Sequence, residues 1–211
     1  MTDFIKIKKL FNIIQKEGYN EEIVKEANIR FNGLPRVLID YYIELGKVFN
    51  LNNSQDRLLP PDEINDLDEY IEFYVENQYV CRWCIAKKDL KMENPPVYIT
   101  EDGESFYEES SSLSDFLCTM AHLQGIWGLD YGCEEILDIG KESATLIRNK
   151  YKKKDIPSLK KWMKVEFYGN HDDEVIALIN NDDYYNLCYA ANNEEYFENM
   201  DEFFDNEIDE C

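Results

Sequence analysis

Apolar positions along the chain change period several times, and each change marks an expected element. Phe4, Ile7, Leu10, Phe11 and Ile14 fall at helical spacing over residues 3–16, with Gly18 ending the run. A second helical pattern covers 21–30. Gly33-Leu34-Pro35 opens a third: Pro35 stands near the first turn, where its missing N–H costs nothing. Val37, Leu38, Tyr41, Tyr42 and Leu45 share one face, and Gly46 closes the helix. Residues 47–69 read as a long acidic loop containing Pro60-Pro61. Aromatic and branched residues from Tyr70 to Val75, a turn at Asn77-Gln78 and a return from Val80 to Ala86 predict a hairpin. Pro95-Pro96 precede a short strand, Val97 to Thr100. After a turn at Glu101-Asp102-Gly103-Glu104, Ser105 to Tyr107 pair back.

Ser114-Asp115 cap a helix holding Phe116, Leu117, Met120 and Leu123. Residues 130–152 read as helical, ending in Lys152-Lys153-Lys154. Three strand-like runs follow: Trp162 to Tyr168, Glu174 to Ile179 and Tyr184 to Ala190. The links between them, 169–173 and 180–183, are rich in Gly, Asn and Asp, the residues of turns. A last helix runs from about Glu194 to Phe204. Helices first, then meandering strands with helices between, define an α+β fold: a mixed, largely antiparallel sheet flanked by helices. The C-terminal strands are expected to extend the same sheet. The whole chain, 1–211, is expected to be one domain, with a core at about 30–127 and a strand-rich extension at about 160–204.

Composition supports a packed core. Of 211 residues, 44% are hydrophobic and 14% aromatic, which sets the chain apart from disordered acidic tails. No apolar run approaches the ~20 residues a membrane span needs. Lys6, Lys8 and Lys9 interrupt what would have to be a signal peptide's apolar stretch. Six cysteines are sparse for a secreted disulfide scaffold, so a reducing, cytoplasmic setting is expected. Cys211 lacks the three following residues that prenylation needs, and reads as an exposed thiol.

Charge changes the picture more. Lys and Arg total 22 against 44 Asp and Glu, a net charge of −22. Such a chain repels nucleic-acid phosphates and anionic membranes, and points to a basic protein or a hard cation as partner. The excess is not spread evenly. Residues 1–60 carry a net +1, 61–140 a net −15, 141–164 a net +7 and 165–211 a net −15. Solubility alone is served by interspersed signs, so the blocks predict one or two acidic faces.

Candidate chemistry is thin. His122 and His171 are the only histidines, and the chain has no phosphate-cradling glycine loop, nucleophile elbow or zincin pattern. No catalytic residue, metal or cofactor is therefore assigned. Cys81 and Cys84 with Cys118 and His122 make the best zinc candidate, the last two one helical turn apart. Inside a strand, however, three-residue spacing sends Cys81 and Cys84 to opposite faces, and buried small hydrophobes are the better expectation. Asp172-Asp173-Glu174 and Asp182-Asp183 match no calcium-loop spacing and suffice as turn residues. Among the tryptophans Trp83, Trp127 and Trp162, Trp83 is expected in the core.

One stretch carries more than composition. Glu76-Asn77-Gln78, then Trp83, then Asn94-Pro95-Pro96-Val97 resembles the central motif of the SUKH superfamily, the bacterial relatives of yeast cell-wall-assembly regulators. Leu34-Pro35 with Tyr41-Tyr42 and Leu45-Gly46 resembles the family's upstream helix, and Leu113 to Leu117 its closing helix. The resemblance covers about 30–127, and residues 160–204 look similar to the end of longer members. Cys84 departs from the small residue, often Gly, that follows the Trp in many members. The resemblance implies an α+β SUKH-like fold and, in bacteria, a cytoplasmic immunity protein that binds an incoming toxin domain, often a nuclease. It assigns no binding residue. The motif positions Leu34, Pro35, Gly46, Glu76, Asn77, Gln78, Trp83, Pro95 and Pro96 read as shaping the hairpin and sheet.

The two lines converge, because a nuclease site must be electropositive to hold phosphates. The expected partner-binding carboxylates are Asp62, Glu63, Asp66, Asp68 and Glu69 in the long loop and Glu101, Asp102 and Glu104 in the turn. Asp172, Asp173, Asp182 and Asp183 form a second candidate patch, with Tyr184 and Tyr185 as aromatic anchors. The alternative is a regulatory scaffold, cell-wall or envelope-related, that binds endogenous partners.

Overall fold

The computed structural model describes residues 4–209, which leaves Cys211 outside the described residues. Helix α1, Ile5–Leu10, is shorter than the periodicity predicts. Asn12 adopts a left-handed φ of 52°, and the Ile13 N–H reaches back to the Lys8 carbonyl. That is a Schellman stop, with Asn in the place where Gly is usual. It leaves Ile14 95% exposed. The same device ends α2, Glu21–Arg30, with Asn32 at φ 53° and Gly33 N–H on the Asn28 carbonyl. Helix α3, Arg36–Leu45, follows Pro35 and buries Val37, Leu38, Tyr41, Tyr42 and Leu45.

The expected loop over 47–69 contains structure of its own. Helix α4 is Phe49–Asn52, and strands β1, Arg57–Leu58, and β2, Asn65–Leu67, both pair with the outer edge of β3, Tyr70–Val75. Pro60-Pro61 interrupt this edge, where a missing N–H does no harm. Strand β4, Arg82–Ala86, closes the expected hairpin but starts later than predicted, so Cys81 lies just before it. Strands β5, Val97–Thr100, and β6, Tyr107–Ser110, complete the first sheet in the order β1-β3-β4-β5-β6.

Helix α5, Leu113–Gly128, is capped by Ser112, whose hydroxyl accepts from the Asp115 N–H, two residues before the expected cap. Twelve of its sixteen residues are buried. A helix apolar all round belongs inside. Phe116 packs on Phe73, Tyr74 and Trp83 of the first sheet. His122 meets Phe167, and Gly125 approaches Val175, both in a second sheet.

The expected helix over 130–152 is helical only in its second half. Strands β7, Tyr131–Gly132, and β8, Leu137–Ile139, come first, then α6, Lys141–Lys150. The C-terminal strands are β9, Val165–Tyr168, β10, Glu174–Asn180, and β11, Tyr185–Ala191, followed by helix α7, Glu194–Glu207. Trp162 precedes β9 and packs edge-to-face on Trp83 at 5.8 Å.

These strands do not extend the first sheet. They form a second one, ordered β7-β11-β10-β9 with β8 also on β11, and every pairing in both sheets is antiparallel. The connector after α6 explains the separation. Lys154 N–H bonds the Phe167 carbonyl on the free edge of β9, and Lys160 N–H bonds the Glu109 carbonyl on that of β6. With both edges occupied, the sheets cannot join. The second sheet is buried on both faces: Val175 and Ala177 turn to the α5 side, Ile176 and Leu178 to α6 and α7. An antiparallel sheet covered on both sides thus reads as the continuous run Val-Ile-Ala-Leu-Ile, a pattern usual for parallel sheets.

Candidate functional site

Of an acidic protein's carboxylates, many hold the fold together. Glu76 is buried and accepts from the Gln78 and Val80 N–H groups at 2.7 and 3.1 Å, which folds the hairpin tip. Glu109 is buried and accepts from Lys161 at 2.8 Å and Trp162 at 3.1 Å, tying β6 to the connector. Burial pushes its carboxyl up, while those N–H groups pull it down. Glu174 accepts from the Asn170 and His171 N–H groups. Glu72, 1% exposed, accepts from Asn65 at 2.6 Å and faces Arg82 at 3.6 Å. A carboxylate clamped on backbone N–H groups is a turn-former rather than a free docking group.

The expected candidates divide accordingly. Asp62, Glu63, Asp66, Asp68 and Glu69 are exposed and follow one another along the β1–β2 edge. Glu63 pairs with Arg57 at 3.0 Å and Asp66 with Lys87. Glu101, Asp102 and Glu104 occupy the β5–β6 turn, three strands away from that edge, or about 14 Å at the usual strand spacing. Asp102 accepts from Glu104 and Ser105 N–H groups at 2.8 and 2.7 Å, and these bonds lower its pKa to about 2. Gly103, at φ 79°, lies so close to Arg82 that a Cβ would sit 2.6 Å from the guanidinium. Phe106 stacks on Tyr70 at 3.8 Å, so this turn folds back over the outer face of the first sheet.

The second expected patch does not form. Asp172 and Asp173 sit in the β9–β10 turn, Asp182 and Asp183 in the β10–β11 turn. These turns are at opposite ends of the seven-residue β10, about 20 Å apart at the usual strand rise. Asp172 pairs with Lys9 at 2.8 Å. Tyr185 lies beneath the Arg148 guanidinium, 4.9 Å from its ring, while Tyr184 is exposed.

The surface that sequence reasoning missed is α7. It carries Glu194, Glu195, Glu198, Asp201, Glu202, Asp205 and Glu207 and no basic residue. All but Asp201 are exposed, and none is in an ion pair among the described residues. Its apolar side is anchored by Met200 and Phe204, with Phe197 stacked against Tyr189 and Tyr131. The signal was in the sequence: acids at 194, 198 and 202 fall one turn apart on the side opposite Phe197, Met200 and Phe204.

The motif residues divide between core and surface, with Asn77 and Gln78 exposed at the hairpin tip. Trp83 is fully buried, Leu34 and Pro95 are buried, and Asn94 exchanges two 2.8 Å bonds with Ser114 at the start of α5. Gly46 is required by packing, since a Cβ there would come within 2.7 Å of the Tyr19 ring. The four zinc candidates are dispersed. Cys84 pairs in register with Glu72 and Tyr98 on the outer face of the first sheet, whereas His122 faces Phe167 of the second. Burial lowers the His122 pKa to about 4 and raises the Cys84 thiol to about 12. Among the described residues, no three His, Cys, Asp or Glu side chains are grouped to hold a metal ion. No helix among them is long and apolar enough to cross a membrane.

Compared with known protein families, curated proteins and solved structures, the chain matches none. The SUKH resemblance therefore stands on the quoted motif residues alone.

Proposed function

We propose that this chain is a non-catalytic immunity protein of the bacterial cytoplasm, which binds a basic toxin domain, a nuclease by preference, and masks its active site. The observation that carries the reading is the outer face of α7, where five exposed carboxylates, Glu194, Glu195, Glu198, Glu202 and Asp205, stand without an ion pair among the described residues. Like charges at i,i+4 destabilise a helix, so Glu194–Glu198 and Glu198–Glu202 cost stability that the fold alone does not require. A basic partner supplies the missing cations. The β1–β2 edge, with Asp62, Asp68 and Glu69, offers a second acidic strip. Long-range attraction speeds the encounter, and a few desolvated contacts set the lifetime of the complex.

The test is co-expression with the toxin encoded beside this chain's gene. Growth is rescued, a complex forms at low salt, and association slows about tenfold or more toward physiological salt. The combined changes E195K, E198K and E202K abolish rescue. No rescue and no complex at low salt overturns the proposal. Capture of endogenous envelope proteins instead would put the regulatory scaffold in its place.

A further inference from the structure

Two cysteines approach each other at the β7–β11 edge of the second sheet, and neither the expected fold nor the proposed function uses them. Cys133 follows β7 and is half-buried; Cys188, on β11, is buried. Strand pairing sets Cys133 opposite Tyr189, the residue that follows Cys188. Gly132 is in register with Ala190, and the Cys133 N–H bonds the Tyr189 carbonyl at 3.0 Å. The Tyr189 N–H returns a bond to Cys133 Sγ at 3.4 Å, which sets that sulfur beside the backbone of Cys188, and Cys133 packs against the apolar cluster that holds Cys188. We infer that Cys133 and Cys188 are a redox modification site that closes to a disulfide when the chain meets a hydroperoxide.

The two sulfurs differ in a way that assigns their roles. Donation from Cys188 and from backbone N–H groups holds the Cys133 thiol below its ordinary range, while Cys188 is pushed up by that same contact and by burial. Cys133, the more accessible, is thus the thiolate that attacks. Its sulfur takes one peroxide oxygen and becomes a sulfenic acid, and the other oxygen leaves as water. The Cys188 sulfur then displaces the sulfenic oxygen, which leaves as a second water with the Cys188 proton. Two thiols are oxidised by two electrons and one hydroperoxide is reduced. Cys81, Cys84 and Cys118 have burial-raised thiols and no cysteine bonded to them among the described residues, so they are not expected to compete.

The link would join the split outer edge of the second sheet to β11. Tyr131, two residues before Cys133, and Tyr189, next to Cys188, both stack on Phe197 of α7. Oxidation therefore stiffens the floor on which the acidic helix rests, and it closes a loop of 55 residues that holds α6, β9 and β10. A covalent loop of that length removes entropy from the unfolded chain. The inference does not depend on the proposed function.

The experiment treats the folded full-length chain with hydrogen peroxide, then denatures it, alkylates free thiols and maps the peptides. A cross-linked peptide containing Cys133 and Cys188 is expected, reversed by dithiothreitol, with Tm raised by roughly 10 °C. Cys133→Ser abolishes both effects. In Cys188→Ala, Cys133 stays as a sulfenic acid and is captured by dimedone. Alkylation of both cysteines after peroxide treatment, a link from Cys133 to another cysteine, or over-oxidation of Cys133 with Cys188 present would each overturn the inference.

Discussion

The phenol of Tyr189 donates a 2.6 Å hydrogen bond to the Asp201 carboxylate, fastening the acidic helix to the second sheet. Tyr189 is 4% exposed and packs on Phe197 and Phe204 as well, so the bond sits on a preformed apolar floor. Tyr189→Phe keeps that floor and strands a half-buried carboxylate. A loss of about 1–3 kcal/mol is expected in urea unfolding, because a charged acceptor is left without its donor. The variant with both partners apolar, Tyr189→Phe with Asp201→Leu, recovers part of the loss.

Glu198 stands one turn from both Glu194 and Glu202. Glu198→Lys turns two repulsions into two attractions and raises stability by about 1 kcal/mol, read as a shift of the urea midpoint. On the proposed function the same change weakens toxin binding. Stability and binding then move in opposite directions, and a loss in both would mean that Glu198 supports the fold.

Two buried groups give stability a specific pH dependence. Burial beside Glu76 raises the Asp56 carboxyl to about 7. The native state holds that proton more tightly than the unfolded chain, so stability falls as pH rises from about 4 to about 7. His122 does the reverse: its pKa, lowered to about 4 by burial, keeps it neutral when folded, so stability falls as pH drops from about 6.5 to about 4. Between pH 4 and 6.5 the two oppose each other. Relative to the natural chain, Asp56→Asn is therefore more stable at pH 8, less so at pH 6.5 and least favoured at pH 5. Chemical denaturation at pH 8, 6.5 and 5 checks all three points.

Gly18 lies against α3, where a Cβ would stand 1.9 Å from the Ile43 carbonyl oxygen. The flanking backbone bonds, Glu17 N–H to Glu44 and Tyr19 N–H to Tyr42, hold this contact in place. Gly18→Ala forces these two backbones apart and is expected to cost about 3 kcal/mol or more, measured as a drop in Tm. Gly46→Ala, which meets the movable Tyr19 ring as well as the Tyr42 carbonyl, is the comparison.

Much of the architecture was legible because it is local. The α3 face, the β3–β4 hairpin and the β10–β11 pair follow from periods of 3.6 and 2 and from nearby turn residues. The misses have physical causes too. Asn12 stopped α1 as Gly would, through a left-handed conformation that Asn tolerates. Residues 130–139 pair with β11, more than forty residues downstream, so no neighbouring residue announces them as strands. The acidic stripe of α7 is present in the spacing of its glutamates, whereas the candidate acids in turns owe their positions to turn geometry.

The sequence by itself determined an α+β chain with acidic charge gathered in two blocks. Tertiary structure decided which of those charges are free. Glu109 is used by N–H groups of Lys161 and Trp162, and Asp172 by Lys9, partners 52 and 163 residues away. It also decided that the strands form two sheets, because the connector at 152–162 satisfies both facing edges. Charge and periodicity are properties of a residue and its near neighbours. Whether a carboxylate faces a partner or clamps a turn depends on which distant donors the folded chain brings within 3 Å of it.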